Sequence, residues 1–228
     1  MELTLNPIKG FSQEWVVEHK QLTTPLEHAE RGSPTISVVE PVCPHVVLGS
    51  SEREKAFMDF SYMEREGIHL ASRRSGGGAV LVIPEDLLWL DVFVPTRSRF
   101  WLEDIKRSSL WMGGIWLDAL QSISVDCLLY DGQFIRSSLS DLVCFAGKGP
   151  GEIFINDQKI VGISQRRSRQ GTQFQCGLIL NWNPGHLINI FKGAPIPDVG
   201  ERIQASGTGA GCSRDEAFQA FLSQLSDR

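Results

Sequence analysis

The sequence predicts an α+β domain, and three observations predict it. Short runs rich in Val, Ile and Leu follow one another in pairs, as at 36–40 with 45–49 and at 152–155 with 159–164, which is the spacing of strands joined by turns. Helical periodicity is confined to a few separate segments. The densest glycine stretch, Arg73-Arg74-Ser75-Gly76-Gly77-Gly78-Ala79-Val80, lies between two β-type runs, 68–72 and 79–83. Phosphate loops and dinucleotide folds place their glycines between a strand and a helix N-terminus, whose dipole meets the phosphate. A β-loop-β setting weakens both readings.

In chain order, residues 11–20 mix apolar and polar side chains at roughly helical spacing and predict a first helix, and polar residues 27–33 predict a loop. Strands are predicted at 36–40 and 45–49, parted by Pro41 and Pro44. Ser51 and Glu54 have the form of a capping box, Phe57, Phe60 and Met63 recur every third residue, and Gly67 supplies a stop, so 52–66 predicts a helix. Beyond the glycines, 87–94 predicts a strand. Residues 100–120, with Trp101, Trp111 and Trp116, predict a long amphipathic helix interrupted at Gly113-Gly114, its tryptophans in the core.

Residues 124–130 predict a strand, and 141–145 a short apolar strand ending in Cys144-Phe145. The glycine- and proline-rich 146–151 then predicts a loop, which sets the thiol where functional side chains are often carried. Asn156-Asp157 predicts the turn of a hairpin whose returning strand opens with Lys159. A strand follows at 172–180, and Asn183-Pro184 opens a helix to about residue 191. Residues 193–211 are irregular, and their glycines lack a strand-loop-helix setting. Ser213 to Glu216 cap a last helix, 214–225. The expectation is a single domain over 1–228, with its motif-bearing core at about 36–192.

Composition limits the function classes. At 228 residues and 42% hydrophobic the chain buries a full core. Lys+Arg 22 against Asp+Glu 27 leaves a net charge of -5, which argues against a general nucleic-acid or membrane-surface binder and makes any basic partner site local. The N-terminus has no charged start followed by an apolar core, and no run approaches membrane-spanning length, so the expectation is a cytoplasmic protein. Five cysteines, Cys43, Cys127, Cys144, Cys176 and Cys212, are odd in number and without a CxxC, so neither a disulfide framework nor a metal site is expected.

Three features carry chemistry. The glycine strip pairs exposed backbone with the fixed charges of Arg73 and Arg74, suited to an anionic or carbonyl-bearing ligand, although a plain hairpin with solvated arginines has the same composition. Cys144 is a strand-end thiol. Lys159 opens an apolar, small-residue strand; a hairpin lysine of this kind ordinarily reaches solvent.

The segments Arg73 to Val80, Lys159-Ile160-Val161-Gly162-Ile163-Ser164-Gln165 and Cys176-Gly177-Leu178-Ile179-Leu180 resemble, in order and spacing, the signature segments of the biotin/lipoate protein ligase superfamily. Pro44-His45-Val46-Val47-Leu48-Gly49 is similar to the stretch that precedes the strip in lipoate-protein ligases and octanoyltransferases. The resemblance implies a mixed β-sheet flanked by helices that binds lipoate or octanoate with its tail in an apolar tunnel. It implies that Arg73, Arg74, Ser75, Gly76, Gly77, Gly78, Ala79 and Val80 line the acyl chain and carboxyl end, and that Lys159 contacts the acyl carbonyl. Gly162, Ser164, Cys176 and Gly177 match positions near the same pocket.

Two chemistries occur in that superfamily. Ligases use ATP and magnesium to form lipoyl-adenylate, with free lipoate as donor. Octanoyltransferases need no cofactor and take the acyl group from acyl-carrier protein. Cys144-Phe145 stands fifteen positions before Lys159, similar to the Cys-Phe to lysine spacing of one octanoyltransferase branch, and favours transfer through a Cys144 thioester with Lys159 as general acid/base. The expected absence of an accessory domain like that of many single-chain ligases points the same way, although such a domain can be supplied on a separate chain.

The implied acceptor is a lipoyl domain or a glycine-cleavage H-type protein. Where the family has a histidine before the glycine matched by Gly177, this chain has Cys176, either a second candidate nucleophile or a small core residue. The usual His-Asp after the strip is replaced by Leu81-Val82-Ile83-Pro84, which keeps open a catalytically silent member that binds acyl chains or a carrier. Arg166, Arg167 and Arg169 suit a nucleotide phosphate, the acidic face of a lipoyl domain, or plain solvation.

Overall fold

The computed structural model of the chain describes residues 14–22, 32–226 and 228. Two sheets pack face to face, with helices covering the outer face of each. The larger sheet has seven strands in the order β1 (Val16–Gln21), β2 (Thr35–Glu40), β6 (Leu87–Pro95), β10 (Gly171–Ile179), β9 (Gln158–Arg167), β8 (Ile153–Ile155) and β7 (Leu128–Leu129). It is antiparallel except for the parallel edge pair β1–β2. The smaller sheet has three strands in the order β4 (His69–Ser72), β3 (His45–Leu48) and β5 (Val80–Val82).

Both faces of the larger sheet are covered, which is why β6 and β10 read as nearly continuous buried runs rather than as alternation. One face carries Phe174, Cys176, Leu178, Leu88 and Leu90 against Met112, Ile115 and Trp116 of α2 (Ile105–Ser122) and Phe218 and Phe221 of α6 (Arg214–Ser226). The other face meets the smaller sheet, with Val39, Leu87, Trp89 and Ile179 packed against Val47, Ala71, Val80 and Val82. The far side of the smaller sheet, through Val46 and Leu48, is covered by α1 (Phe60–Arg65), α3 (Ser138–Leu142), α4 (Gly185–Phe191) and α5 (Val199–Gln204).

Several elements differ from the sequence expectation. Of the predicted 11–20 helix, residues 11–13 lie outside the described residues and 16–21 form β1, because parallel pairing along β2 outweighs a weak helical period. The predicted loop 27–33 lies outside them up to residue 31. The 52–66 helix is a 3₁₀ turn at Arg53–Phe57 and then α1, separated at Met58 in extended conformation. The N-cap is Asp59, whose Oδ1 accepts from the Tyr62 N–H at 2.9 Å, not Ser51.

Of 124–130 only Leu128–Leu129 is strand. Residues 141–145 form no strand: α3 ends at Leu142 and Cys144–Ala146 is a 3₁₀ turn. A short apolar run does not distinguish strand from buried helix by periodicity, and here Ser137 and Ser140 form a reciprocal capping box that starts a helix. Within 193–211, α5 went unpredicted. Pro184 is the N-cap of α4 rather than its first residue. The hairpin at Asn156-Asp157 is as expected, both residues left-handed with φ 46° and 67°. The last helix is capped as expected, Glu216 Oε2 accepting from the Ser213 N–H at 3.0 Å.

Helix α2 runs through Gly113-Gly114 without interruption. Gly113 is where the backbone of Gly151 crosses the helix: a Cβ there would stand 2.1 Å from the Gly151 carbonyl oxygen. At Gly114 a Cβ would meet only the Arg228 side chain, at 3.6 Å. Gly113→Ala is therefore expected to cost about 2 kcal/mol or more, whereas Gly114→Ala is expected to be neutral or to stabilise by up to about 1 kcal/mol through helix propensity. Urea midpoints of the two variants check this, and equal midpoints would contradict it.

Candidate active site

The glycine strip is built around a buried arginine. Arg73 is 3% exposed, and its guanidinium donates to the carbonyls of Val47 (3.0 Å), Gly76 (3.0 Å) and Gly78 (2.9 Å). The guanidinium is a rigid planar fork of five N–H donors, so it holds the three carbonyls in one fixed arrangement, where a lysine would offer three donors on a single freely rotating ammonium. The strip bends back over this group at Gly77, whose φ of 105° is open only to glycine. Arg74, Gly76 and Gly77 are exposed, while Ser75, Gly78, Ala79 and Val80 are buried. Arg73 thus shapes the strip from behind, and Arg74 faces solvent.

The thiol comes to the exposed part of the strip. The Ala79 N–H donates to the Leu142 carbonyl (2.8 Å) and the Cys144 N–H to the Ala79 carbonyl (3.0 Å), tying the 3₁₀ turn to the end of the strip. A Cβ at Gly77 would lie 3.5 Å from Cys144 Sγ, an ordinary van der Waals distance that sets the thiol directly against this glycine, and 2.9 Å from the Arg73 guanidinium, which is the contact that excludes a side chain there.

Lys159 lies directly beneath. It is 1% exposed, so it does not reach solvent as a hairpin lysine ordinarily does. Its Nζ donates to the Cys144 carbonyl at 2.9 Å and to Glu152 Oε1 at 2.8 Å, and stands 5.9 Å over the Phe145 ring. Glu152 is 6% exposed, and its Oε2 accepts from the Gly149 N–H at 2.6 Å. Burial pushes the Glu152 carboxyl above the usual range, and the Lys159 charge only partly opposes it.

The layer between the sheets changes character along β10. Gln175, Gly177 and Ile179 share the inner face with Ser164 and Gly162 of β9, since Gln175 pairs with Ser164 and Gly177 with Gly162. At the polar end the Ser75 hydroxyl donates to Gln175 Oε1 (2.6 Å) and meets Ser164 Oγ at 2.9 Å. Gln175 Nε2 donates to Asp91 Oδ1 (3.2 Å), and Asp91 also accepts from Lys20 and Trp89. At the apolar end stand Phe145, Trp182, Leu87 and Ile179.

Cys176 is separated from this group. Strand alternation turns it to the opposite face, into the core under α2, where burial pushes its thiol up to about 12. Arg167 is likewise committed: it donates to the carbonyls of Leu102 (2.7 Å), Glu103 (2.6 Å) and Asp104 (3.3 Å), fixing the approach to α2, while Arg169 is exposed.

Residues 13–206 match the lipoyl protein ligase A/B catalytic domain. The chain belongs to that family. It is a family of enzymes, and the described fold is the mixed-sheet, helix-flanked fold of its solved members. A lipoate-protein ligase A bound with ATP superposes with a TM-score of 0.70 at 17% identity, covering 94% of this chain and 85% of that one. The bipartite lipoate protein ligase of Thermoplasma acidophilum, described with its E2 lipoyl domain, gives 0.70 at 15% identity, covering 95% and 84%. A putative lipoate protein ligase from the same organism with bound lipoic acid gives 0.67 at 18% identity, covering 86% and 72%. No curated protein is a significant sequence match.

Sequence reasoning missed Glu152, Phe145 and Trp182. Glu152 had one available signal, a carboxylate at the first position of a strand that pairs with the strand of Lys159. Phe145 is marked only as the neighbour of Cys144 in the Cys-Phe spacing, without a role of its own, and nothing local marks Trp182.

The Glu152 shift fixes a pH dependence. A carboxyl held above its unfolded value, about 4.3, contributes stability below that value and loses it as pH rises through the folded pKa. Lys159→Met leaves the carboxylate buried without its positive partner, with the Gly149 N–H still bonded to it. It is expected to cost about 3–5 kcal/mol at pH 8, less as pH falls and Glu152 takes up its proton, and to be largely rescued by Glu152→Gln. Denaturant unfolding of the variants across pH checks this; a Lys159→Met cost that grows towards acid pH would contradict it.

Proposed function

We propose that this family member transfers an octanoyl or lipoyl group to the lysine of a lipoyl domain through a thioester at Cys144, with an acyl-carrier protein as donor. The observation that carries the reading is the position of Cys144 Sγ against the exposed glycines, with its own carbonyl held by the Lys159 ammonium. The polarity of the layer between the sheets suits the same ligand, an acyl chain with one polar end.

The steps balance as two exchanges. The Cys144 thiolate attacks the donor thioester carbonyl, the tetrahedral oxyanion forms beside the amides of Gly76 and Gly77, and the donor thiolate leaves and takes up a proton. The acceptor lysine amine then attacks the Cys144 thioester, an amide forms, and the cysteine leaves as thiolate. A proton must be lost from the attacking amine. Lys159 has three donors, two engaged with Glu152 and the Cys144 carbonyl, which leaves one for the acyl carbonyl. Glu152, with its raised carboxyl, is placed to accept the Lys159 proton, which would free the amine to act as base.

The second reading is ATP-dependent ligation, favoured by the similarity to a structure bound with ATP. The family implies magnesium with the nucleotide. Among the described residues no group of three or more His, Cys, Asp or Glu side chains could hold a metal ion by itself, and no step is assigned to one. No helix among the described residues is long and apolar enough to cross a membrane.

Incubation with octanoyl-carrier donor without ATP is expected to give an intact-mass adduct of one octanoyl group, which is lost in Cys144→Ala and discharges when a lipoyl domain is added. Lipoylation that requires ATP and free lipoate and survives Cys144→Ala would replace this reading with ligation.

A further inference from the structure

Phe145 follows the thiol yet takes no part in the chemistry above. Its ring is 4% exposed and occupies the layer between the two sheets. The strand positions it covers are both glycine, Gly162 and Gly177, paired directly across β9 and β10. A Cβ at Gly162 would touch the ring at 3.6 and 3.7 Å, and one at Gly177 at 3.8 Å. Trp182 closes the other side, with ring centroids 5.9 Å apart. The two strands thus leave a gap in the sheet face, and a single side chain, attached next to Cys144, fills it.

The same ring divides two clefts and lines both. On one side is an apolar cleft walled by Leu81, Ile83, Leu87, Ile179 and Trp182, with only about 20 Å³ of free space, little more than one water occupies. On the other is a roomier, more polar cleft of about 290 Å³, bordered by Ser137, Lys148, Arg202 and Ser206. The turn that carries the ring is anchored through its backbone, by the Cys144 N–H to Ala79 and by Lys159 to the Cys144 carbonyl. Rotation of the Phe145 side chain towards the roomier cleft would leave these backbone contacts intact.

We propose that Phe145 fills the acyl slot of the free protein and is displaced by the substrate's hydrocarbon chain, so that this ring sets which chains gain access to Cys144. The inference rests on the acyl-transfer reading and deepens it by assigning the specificity-determining residue. With the ring out, the slot is bounded by the backbones of Gly162 and Gly177, by Leu87 and by Trp182, an apolar channel continuous with the Leu81–Ile179 cleft. Apolar cavities on the order of 150 Å³ stay dry and take up hydrocarbon ligands. In the closed state that space is already occupied, and apparent affinity falls by the fraction of molecules that are open.

The test compares octanoate and dodecanoate binding to the wild type, Phe145→Leu and Phe145→Ala by calorimetry, with ¹⁹F NMR of the full chain carrying 4-fluorophenylalanine at position 145. Phe145→Ala is expected to bind octanoate about tenfold tighter than the wild type, with a larger gain for dodecanoate and Phe145→Leu in between. In the otherwise unaltered protein the fluorine resonance is expected to shift on saturation with octanoate. The proposal is overturned if neither variant gains affinity, or if octanoate binds while the resonance stays in place. Displacement of the ring without any thioester at Cys144 would support this proposal and sink the acyl-transfer reading. A thioester formed with the ring unmoved would do the reverse.

Discussion

The site depends on one buried ion pair. Lys159 and Glu152 are charged groups with almost no access to water, and such a pair repays its desolvation only where the geometry is good and the remaining donors and acceptors are satisfied. Here they are: Glu152 takes the Gly149 amide, and Lys159 takes the Cys144 carbonyl. The pair therefore does more than join β9 to the segment before β8. It holds the short turn that presents the thiol, and any loss of charge on one partner reaches Cys144 through a single hydrogen bond.

A second constraint comes from behind the strip. Three backbone carbonyls converge on the Arg73 guanidinium, and this convergence lets a run of glycines, with high intrinsic freedom, keep one conformation. Rigid backbone without side chains is what an amide-lined oxyanion site requires, since donors fixed in advance need no reorganisation during reaction. The thiol, the strip and the lysine thus owe their arrangement to two buried cations, neither of which faces solvent.

Much of this was legible in the sequence wherever the cause is local. The β-loop-β glycines, the Asn156-Asp157 hairpin and the capped final helix follow from turn chemistry and capping. The segments Arg73 to Val80 and Lys159 to Gln165 marked the family. What failed was decided at a distance. Residues 16–21 became a strand because β2 lies alongside, and the run before Cys144 became a helix and a 3₁₀ turn where periodicity is silent. Cys176 and Gly177 differ by one position, yet β alternation places one under α2 and the other against Phe145. Sequence matched both to the pocket and left Cys176 open as a small core residue; the core reading is the one the fold bears out, with Gly177 facing inward opposite Gly162.

The central claim is that Cys144, on the strip and above Lys159, is the thiol that meets an acyl carbonyl. The most direct measurement is peptide mapping after limited treatment with an octanoyl-mimicking chloromethyl ketone, with and without excess octanoate. Modification at Cys144 that octanoate suppresses is the predicted result. Modification at Cys176 or Cys43, or labelling of Cys144 that octanoate leaves unchanged, would contradict it.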